Sequence, residues 1–241
     1  MKKRTLIVAI GLAALSALLY FIQFVLYHDL RDTTFYMLQD WAFLPLQVAL
    51  VTVIVGSVVE GREKANRLEK TQMLTSTFFS EVGLDLLKML EPAVKNADVL
   101  KNSLAIAPEW TSQDFAKAKA AVRTADPAVE LKTEEMKKLR ELLCAGRMAM
   151  LVISSNPALL EHEGFTDMLW AVFHLTDELS LRNLDTLSQA DRAHINSDAQ
   201  RVLTETLANW VRHMEHLKKE YPYLFQLEVY RNPFAARRPQ I

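Results

Sequence analysis

Residues 35–59, reading FYMLQDWAFLPLQVALVTVIVGSVV, constrain this chain more than any other stretch. From Trp41 to Val59 the sequence runs for 19 residues without a charged side chain, directly after the acid Asp40. A helix needs about 20 mostly apolar residues to cross the hydrocarbon core of a bilayer. The stretch therefore predicts a transmembrane helix over residues 41–59.

A second apolar segment precedes this helix. The chain opens with Met-Lys-Lys-Arg and is then uncharged for 23 residues, from Thr5 to Tyr27. A basic start before an apolar run is also typical of a secretory signal peptide. Because the run exceeds the roughly 7–15 apolar residues of such peptides, we interpret it as an uncleaved membrane helix. Residues 1–59 are thus predicted to form a transmembrane hairpin, with helices at about 5–27 and 41–59.

Basic residues flank this predicted hairpin on one side of the membrane. The connection over residues 28–40 has one basic residue, Arg31, and three aspartates, whereas the outer flanks hold Lys2, Lys3, Arg4, Arg62, Lys64, Arg67 and Lys70. Positively charged flanks are retained in the cytoplasm. We therefore expect a multi-pass protein of the inner (cytoplasmic) membrane with both termini in the cytoplasm.

Polar and unusual residues around the second membrane helix are candidates for a pore or a membrane interface: Asp40, Trp41, Pro45, Gln47, Thr52 and Ser57. Asp40 is interpreted as the N-cap of that helix, where the helix dipole favours a carboxylate. A pore or proton-relay acid is the alternative. Pro45 costs little if the helix begins near Trp41, and it produces a kink if the helix begins near Phe35.

The rest of the chain is rich in helix formers, and the whole sequence contains only 6 Gly and 8 Pro. Apolar residues recur every three to four positions up to Leu90, which predicts a juxtamembrane helix over residues 60–91. Residues 92–241 are predicted to form a cytoplasmic helical-bundle domain with Trp170 in its core. Its helices are expected at 93–105, 112–123, 133–154, from about 166, and at 189–220. The predicted fold class is all-α.

Small residues recur along both membrane helices, as Ala9, Ala13 and Ala17 and as Ala49, Thr52 and Gly56. Small side chains let helix backbones approach closely within a membrane. Pairing within one chain and association between copies both fit this pattern. The apolar stripe of the juxtamembrane helix must also be covered, either by this chain or by another copy.

Sequence motifs for phosphate-binding loops, zinc proteases and nucleophile-elbow hydrolases are absent, and no cofactor is predicted. Cys144, the single cysteine, lies among Leu142, Leu143 and Met148 and is interpreted as a small buried hydrophobe. The formal net charge of −1 gives no reason to expect nucleic acid as a partner.

Histidines form the only metal-like pattern in the sequence. His213 and His216 are three residues apart on one predicted helix, and His174 and Glu178 are four apart on another. Carboxylate metal sites in helical bundles normally place a Glu three residues before a His, and no Glu takes that position here. Ordinary hydrogen bonding is therefore preferred, and these four residues are weak metal candidates.

Four strings of the chain resemble a family of uncharacterised prokaryotic two-helix membrane proteins: FYMLQDWAFLPLQVALVTVIV (35–55), FFSEVGLDLL (78–87), NPALLEHEGFTDMLWAVFHLTDEL (156–179) and HLKKEYPYLFQL (216–227). The resemblance covers most of the chain from residue 35 onward. It implies a two-helix membrane anchor with a helical domain, and it implies no catalytic residues.

Three functional hypotheses follow from the sequence. The first is a membrane-anchored interaction or scaffold module, without enzymatic activity, that self-associates through the membrane and juxtamembrane helices. The second is an oligomeric channel lined by Gln47, Thr52 and Ser57 of the second membrane helix, with Asp40 at its mouth. The third is a metal-dependent membrane-bound enzyme that uses the helices of His174, His213 and His216.

Overall fold

The computed structural model describes residues 2–27, 30–95, 97–157 and 163–234, and these ranges contain nine α-helices. The helices are α1 (Lys2–Tyr27), α2 (Leu30–Phe78), α3 (Leu84–Leu90), α4 (Ala97–Leu104), α5 (Ser112–Thr124), α6 (Thr133–Ser154), α7 (Glu163–Leu181), α8 (Gln189–Glu220) and α9 (Pro222–Tyr230). A π-helical segment, the π turn (Phe79–Gly83), joins α2 to α3, and a 3₁₀ turn (Glu91–Ala93) follows α3. The β-structure within the described ranges is an isolated bridge between Val94 and Val129. The all-α prediction is confirmed.

The chain divides into two compact units, one up to Lys64 and one from Ala65 onward. The first unit contains α1 and the first part of α2, which are linked where the Tyr20 hydroxyl donates a 2.6 Å hydrogen bond to Asp40 Oδ2. Residues 28 and 29 lie outside the described residues.

The start of α2 corrects the prediction for Asp40. The helix begins at Leu30 and places Pro45 in its interior. Asp40 lies ten residues inside the helix, so the interpretation of Asp40 as an N-cap is wrong. Residues 30–44 contain no Gly or Pro to prevent helix formation, and Asp32 places an acid in the first turn, where the helix dipole favours it.

The second unit is built around α8, whose buried side chains recur every three to four residues from Ile195 to Leu217. Helices α5, α7 and α9 pack against it. Trp210 is fully buried at its centre, with its ring 5.9 Å from that of Phe234. Phe225 and Phe234 are buried, so the C-terminal segment packs back on the helices over the described residues up to 234.

The π turn interrupts what the sequence predicts as one regular helix ending near residue 91. A Cβ added at Gly83 would lie 2.6 Å from Cδ1 of Phe79 and 2.7 Å from Cε1 of Phe78, so the two buried rings pack directly against the glycine backbone. The apolar stripe from Leu74 through the π turn to Leu90 is buried in the core of the second unit. This chain therefore covers the stripe itself from Leu74 onward, whereas the side chains of residues 64–68 lie outside the description.

The predicted bounds of α6 and α8 agree with the structure, and α5 ends one residue later than predicted. The helix predicted at 93–105 is shorter, because Pro92 belongs to a 3₁₀ turn and Val94 to the bridge that precedes α4. Helix α7 begins at Glu163, three residues before the predicted start. Residues 158–162, which precede α7, lie outside the described residues.

Candidate functional site

The first unit exposes a long apolar helical surface. The Thr34–Glu63 part of α2 is 30 residues long, has a mean hydropathy of 2.2, and contributes nothing to a buried core. Among the helices that the structure describes, this one is long and apolar enough to cross a membrane, and Ala14–Leu26 of α1 is a shorter apolar segment. Monomeric soluble proteins rarely expose contiguous apolar patches larger than a few hundred Å². This surface is therefore the first candidate functional feature.

The polar candidates on α2 do not share one face of the helix. Gln47, Thr52 and Ser57 are five residues apart, which is a rotation of about 140° at each step of a 3.6-residue helix. The hydroxyl of Thr52 donates to Val48 O at 2.7 Å, and that of Ser57 donates to Ile54 O at 2.8 Å. The helix backbone thus accepts a hydrogen bond from both hydroxyls. Trp41 is exposed.

The small residues of α2 do share a face. Ala49, Thr52 and Gly56 fall within about 60° of one another around the helix axis. They lie about 120–180° away from Asp40, the residue that contacts α1 through Tyr20. A Cβ added at Gly56 would meet no atom within 4 Å. Among the residues that the structure describes, none packs closely against the stripe at Gly56.

His213 and His216 lie on α8 and are not among the residues that surround His174 of α7. His213 is 4% exposed, and its ring stacks on Phe79 with centroids 5.2 Å apart and a 13° tilt. Burial lowers the pKa of His213 to about 4, and its Nδ1 atom is buried without a hydrogen-bond partner. His216 contacts the Tyr221 ring edge-on, and partial burial lowers the pKa of its imidazole.

His174 and Glu178 instead meet two residues of α8 that the sequence did not single out as candidates. Nε2 of His174 and Nε2 of His194 each lie 3.3 Å from Oδ2 of Asp198. Glu178 Oε2 is 3.8 Å from His194 Nε2 and accepts a 2.6 Å hydrogen bond from Arg182 Nε. His194 and Asp198 are four residues apart, as are His174 and Glu178, and that shared spacing is the sequence signal that could have found them.

A groove between α6 and α7 lies elsewhere on the second unit. It has a volume of about 370 Å³ and is lined by Leu151, Trp170 and Phe173, with the 2.8 Å Arg147–Asp177 ion pair at its edge. Trp170 is 69% exposed, so the prediction that it lies in the core is wrong. Cys144 on α6 is also exposed rather than buried, with Sγ 3.4 Å from the Ser180 hydroxyl. Both side chains lie on helix faces that the described part of the chain leaves exposed.

The fold defines the class of this protein: an all-α chain with an N-terminal helical unit that exposes apolar surface and a larger C-terminal helical unit with its own core. It belongs to the family of uncharacterized protein MJ1433, whose N-terminal helical domain matches residues 1–59 and whose C-terminal helical domain matches residues 67–230. Uncharacterized protein MJ1433 of the archaeon Methanocaldococcus jannaschii is 37% identical over 235 residues, which cover 97% of this chain and 94% of that protein. No solved structure matches the chain. The resemblance found in the sequence is confirmed as membership of an uncharacterized family with two helical domains, and the family descriptions give no membrane location.

Proposed function

We propose that this protein is an integral membrane protein whose N-terminal hairpin anchors a cytoplasmic helical domain, and that it acts as a self-associating interaction module rather than as an enzyme. The observation that carries the proposal is the exposed apolar segment Thr34–Glu63. Its 30 residues extend about 45 Å at about 1.5 Å per residue, which matches a bilayer together with its headgroup regions. Lipid is the partner that such a surface fits.

The hydrogen bond between Tyr20 and Asp40 supports the hairpin. It joins a residue seven positions before the end of α1 to one ten positions after the start of α2, as expected for antiparallel neighbours. It also supplies a donor to the carboxylate at the start of the apolar run, which lowers the cost of placing that group near lipid. The basic residues on the outer flanks of the proposed hairpin favour a topology with both termini in the cytoplasm.

Self-association is proposed through the stripe formed by Ala49, Thr52 and Gly56. Lipid tails provide no hydrophobic force between helices, so membrane helices associate where small residues allow close backbone contact. The stripe faces away from the residue that contacts α1, which leaves it available to a second copy. The juxtamembrane part of α2 contributes less than the sequence suggested, because its stripe from Leu74 onward is buried within the chain.

The channel hypothesis has less support than the interaction hypothesis. A pore requires its polar lining residues on one helix face, and Gln47, Thr52 and Ser57 are distributed around α2. Conductance in planar bilayers that changes on Gln47→Leu substitution would favour the channel over the proposal made here.

Alkaline carbonate extraction of membranes from an expression host tests the anchor. The wild-type protein is expected to stay with the membrane pellet. Placing two charges in the apolar segment, as Val51→Lys with Ile54→Lys, is expected to release part of the protein, because each charge near the bilayer centre costs about 3 kcal/mol. The control Leu181→Lys adds a charge at an exposed apolar position of the second unit and should not change the distribution. A wild-type protein released into the carbonate supernatant would contradict the anchor.

Cross-linking of the detergent-solubilised full chain tests self-association. The wild type is expected to form covalent oligomers, and Gly56→Leu is expected to reduce their yield several-fold by separating the helix backbones. Val55→Leu enlarges an exposed neighbour on another face of α2 and serves as the matched control. A wild type that remains strictly monomeric at every protein-to-detergent ratio would contradict self-association.

A further inference from the structure

We propose that His174, His194 and Asp198 bind one divalent transition-metal ion of the Zn²⁺ class between α7 and α8. The site lies entirely in the second unit, and it does not depend on the membrane anchor or on self-association. It differs from the metal pattern suggested by the sequence, because His213 and His216 take no part in it.

Each of the two helices supplies one imidazole and one carboxylate at a spacing of four residues. Side chains four apart lie on the same helix face, so His174 and Glu178 of α7 are presented together to His194 and Asp198 of α8. The connection between the helices is short. Arg182 links the two helices across it, because its guanidinium pairs with both Glu178 of α7 and Asp191 of α8. The two imidazole rings lie 6.2 Å apart, edge to face.

The distances fit ligands around a common centre. In a tetrahedral zinc site with metal–ligand bonds of about 2.0–2.1 Å, neighbouring ligand atoms are about 3.3–3.4 Å apart. Both Nε2 atoms lie 3.3 Å from Asp198 Oδ2, and the three ligand atoms all lie within 4.8 Å of one another. Oδ2 is shielded from solvent but accepts no hydrogen bond, although two imidazole nitrogens are close to it. A cation between the three atoms would satisfy this oxygen.

The donor set selects the class of metal. Two imidazole nitrogens and one carboxylate oxygen suit zinc and neighbouring transition metals, whereas calcium and magnesium prefer oxygen ligands alone. The histidine side chains are 53% and 48% exposed, so solvent can reach a fourth position on the ion. Oε2 of Glu178 is already bound by Arg182, which makes Glu178 a neighbour of the ion rather than a counted ligand.

The experiment uses the full-length, tag-free protein in detergent, treated with a chelator and then titrated with Zn²⁺ by isothermal calorimetry. Elemental analysis after dialysis gives the stoichiometry. We expect one Zn²⁺ per chain and a loss of affinity of at least about tenfold in both Asp198→Asn and His174→Ala. His216→Asn, on the same helix but outside the cluster, is the matched control and should bind as the wild type does.

The thermal stability of the same variants separates a metal site from a simple cluster of ion pairs. For a metal site, Zn²⁺ raises the melting temperature of the wild type and of His216→Asn but not that of Asp198→Asn. The chelated forms of wild type and Asp198→Asn should melt within a few degrees of each other, because Oδ2 has no hydrogen bond to lose. Asp198→Asn that binds Zn²⁺ as tightly as the wild type, or a wild type that retains no ion, would overturn the proposal.

Discussion

His213 shows how burial changes the chemistry of a single residue. Its spacing from His216 suggested a metal ligand, yet the side chain is enclosed beside Phe79 and its pKa falls to about 4. Desolvation is the main cause, and the nearby His216 adds to it. A buried imidazole that stays neutral makes stability depend on pH, because the unfolded chain can bind a proton that the folded chain does not bind.

Stability should fall as the pH is lowered because of His213. The pKa of His213 is about 4 in the folded state against about 6.5 for an ordinary histidine, so between these values the unfolded chain binds more protons. Its contribution is fully present above about pH 6.5 and is lost toward pH 4, by about 3 kcal/mol in all. Urea unfolding of the full chain at pH 7 and pH 4.5, followed by near-ultraviolet circular dichroism, measures the difference.

His213→Phe keeps an aromatic ring beside Phe79 and removes the titration. We expect its stability to depend on pH less than that of the wild type, by about 2–3 kcal/mol over this range. The control Met214→Leu changes a buried residue of α8 that carries no titratable group and should keep the wild-type dependence. Equal pH dependence in His213→Phe and the wild type would contradict the assignment.

At the scale of elements, the π turn depends on one glycine. Gly83→Ala would place a methyl group 2.6 Å from Phe79 Cδ1 and 2.7 Å from Phe78 Cε1, and both rings are buried and held in place. Overpacking of this kind costs about 1–3 kcal/mol. The free energy of unfolding from a denaturant titration of the full chain should fall by that amount.

Gly61→Ala is the matched control for this substitution. It also lies in a helix, and a Cβ there would meet no atom within 4 Å. Alanine should leave stability unchanged or raise it by up to about 1 kcal/mol, since glycine is the poorer helix former. Wild-type stability in Gly83→Ala would show that the two rings can move away from the turn.

Helix bounds were predictable wherever a local signal ends the helix. Ser188 caps α8 and Tyr221-Pro222 ends it, and the acids at positions 134 and 135 mark the first turn of α6. The start of α2 was missed because the polar residues before Phe35 resemble a loop although nothing in them breaks a helix. The π turn was missed because it depends on how Phe78 and Phe79 pack, which a periodic pattern does not contain.

At the scale of the whole molecule, the exposed thiol of Cys144 makes the proposed topology measurable. If both termini are cytoplasmic, a membrane-impermeant maleimide should not label Cys144 in intact spheroplasts of an expression host. It should label Cys144 once the membrane is permeabilised. Mass spectrometry of the protein measures the labelling directly.

The matched control moves the thiol to the first turn of α2. Asp32 is exposed near the start of α2, on the proposed outer side. Asp32→Cys in a Cys144→Ser background should therefore be labelled in intact spheroplasts. Labelling of wild-type Cys144 in intact spheroplasts would place the second unit outside and contradict the orientation.

The sequence by itself determined the properties that are set by neighbouring residues. Helix period, breakers and hydropathy are local, so the all-α class, most helix bounds and the long apolar segment of α2 follow from the order of residues alone. The strings at 35–55, 156–179 and 216–227 were sufficient to indicate the family.

Only the tertiary structure decided which helix faces are covered and which distant residues meet. It exposes Trp170 and Cys144, buries His213, and turns Asp40 toward Tyr20. It also brings His174 together with His194 and Asp198. The physical reason is that burial and ligand geometry depend on contacts between helices. The pattern within one helix determines which residues share a face, but it does not determine which other helix packs against that face.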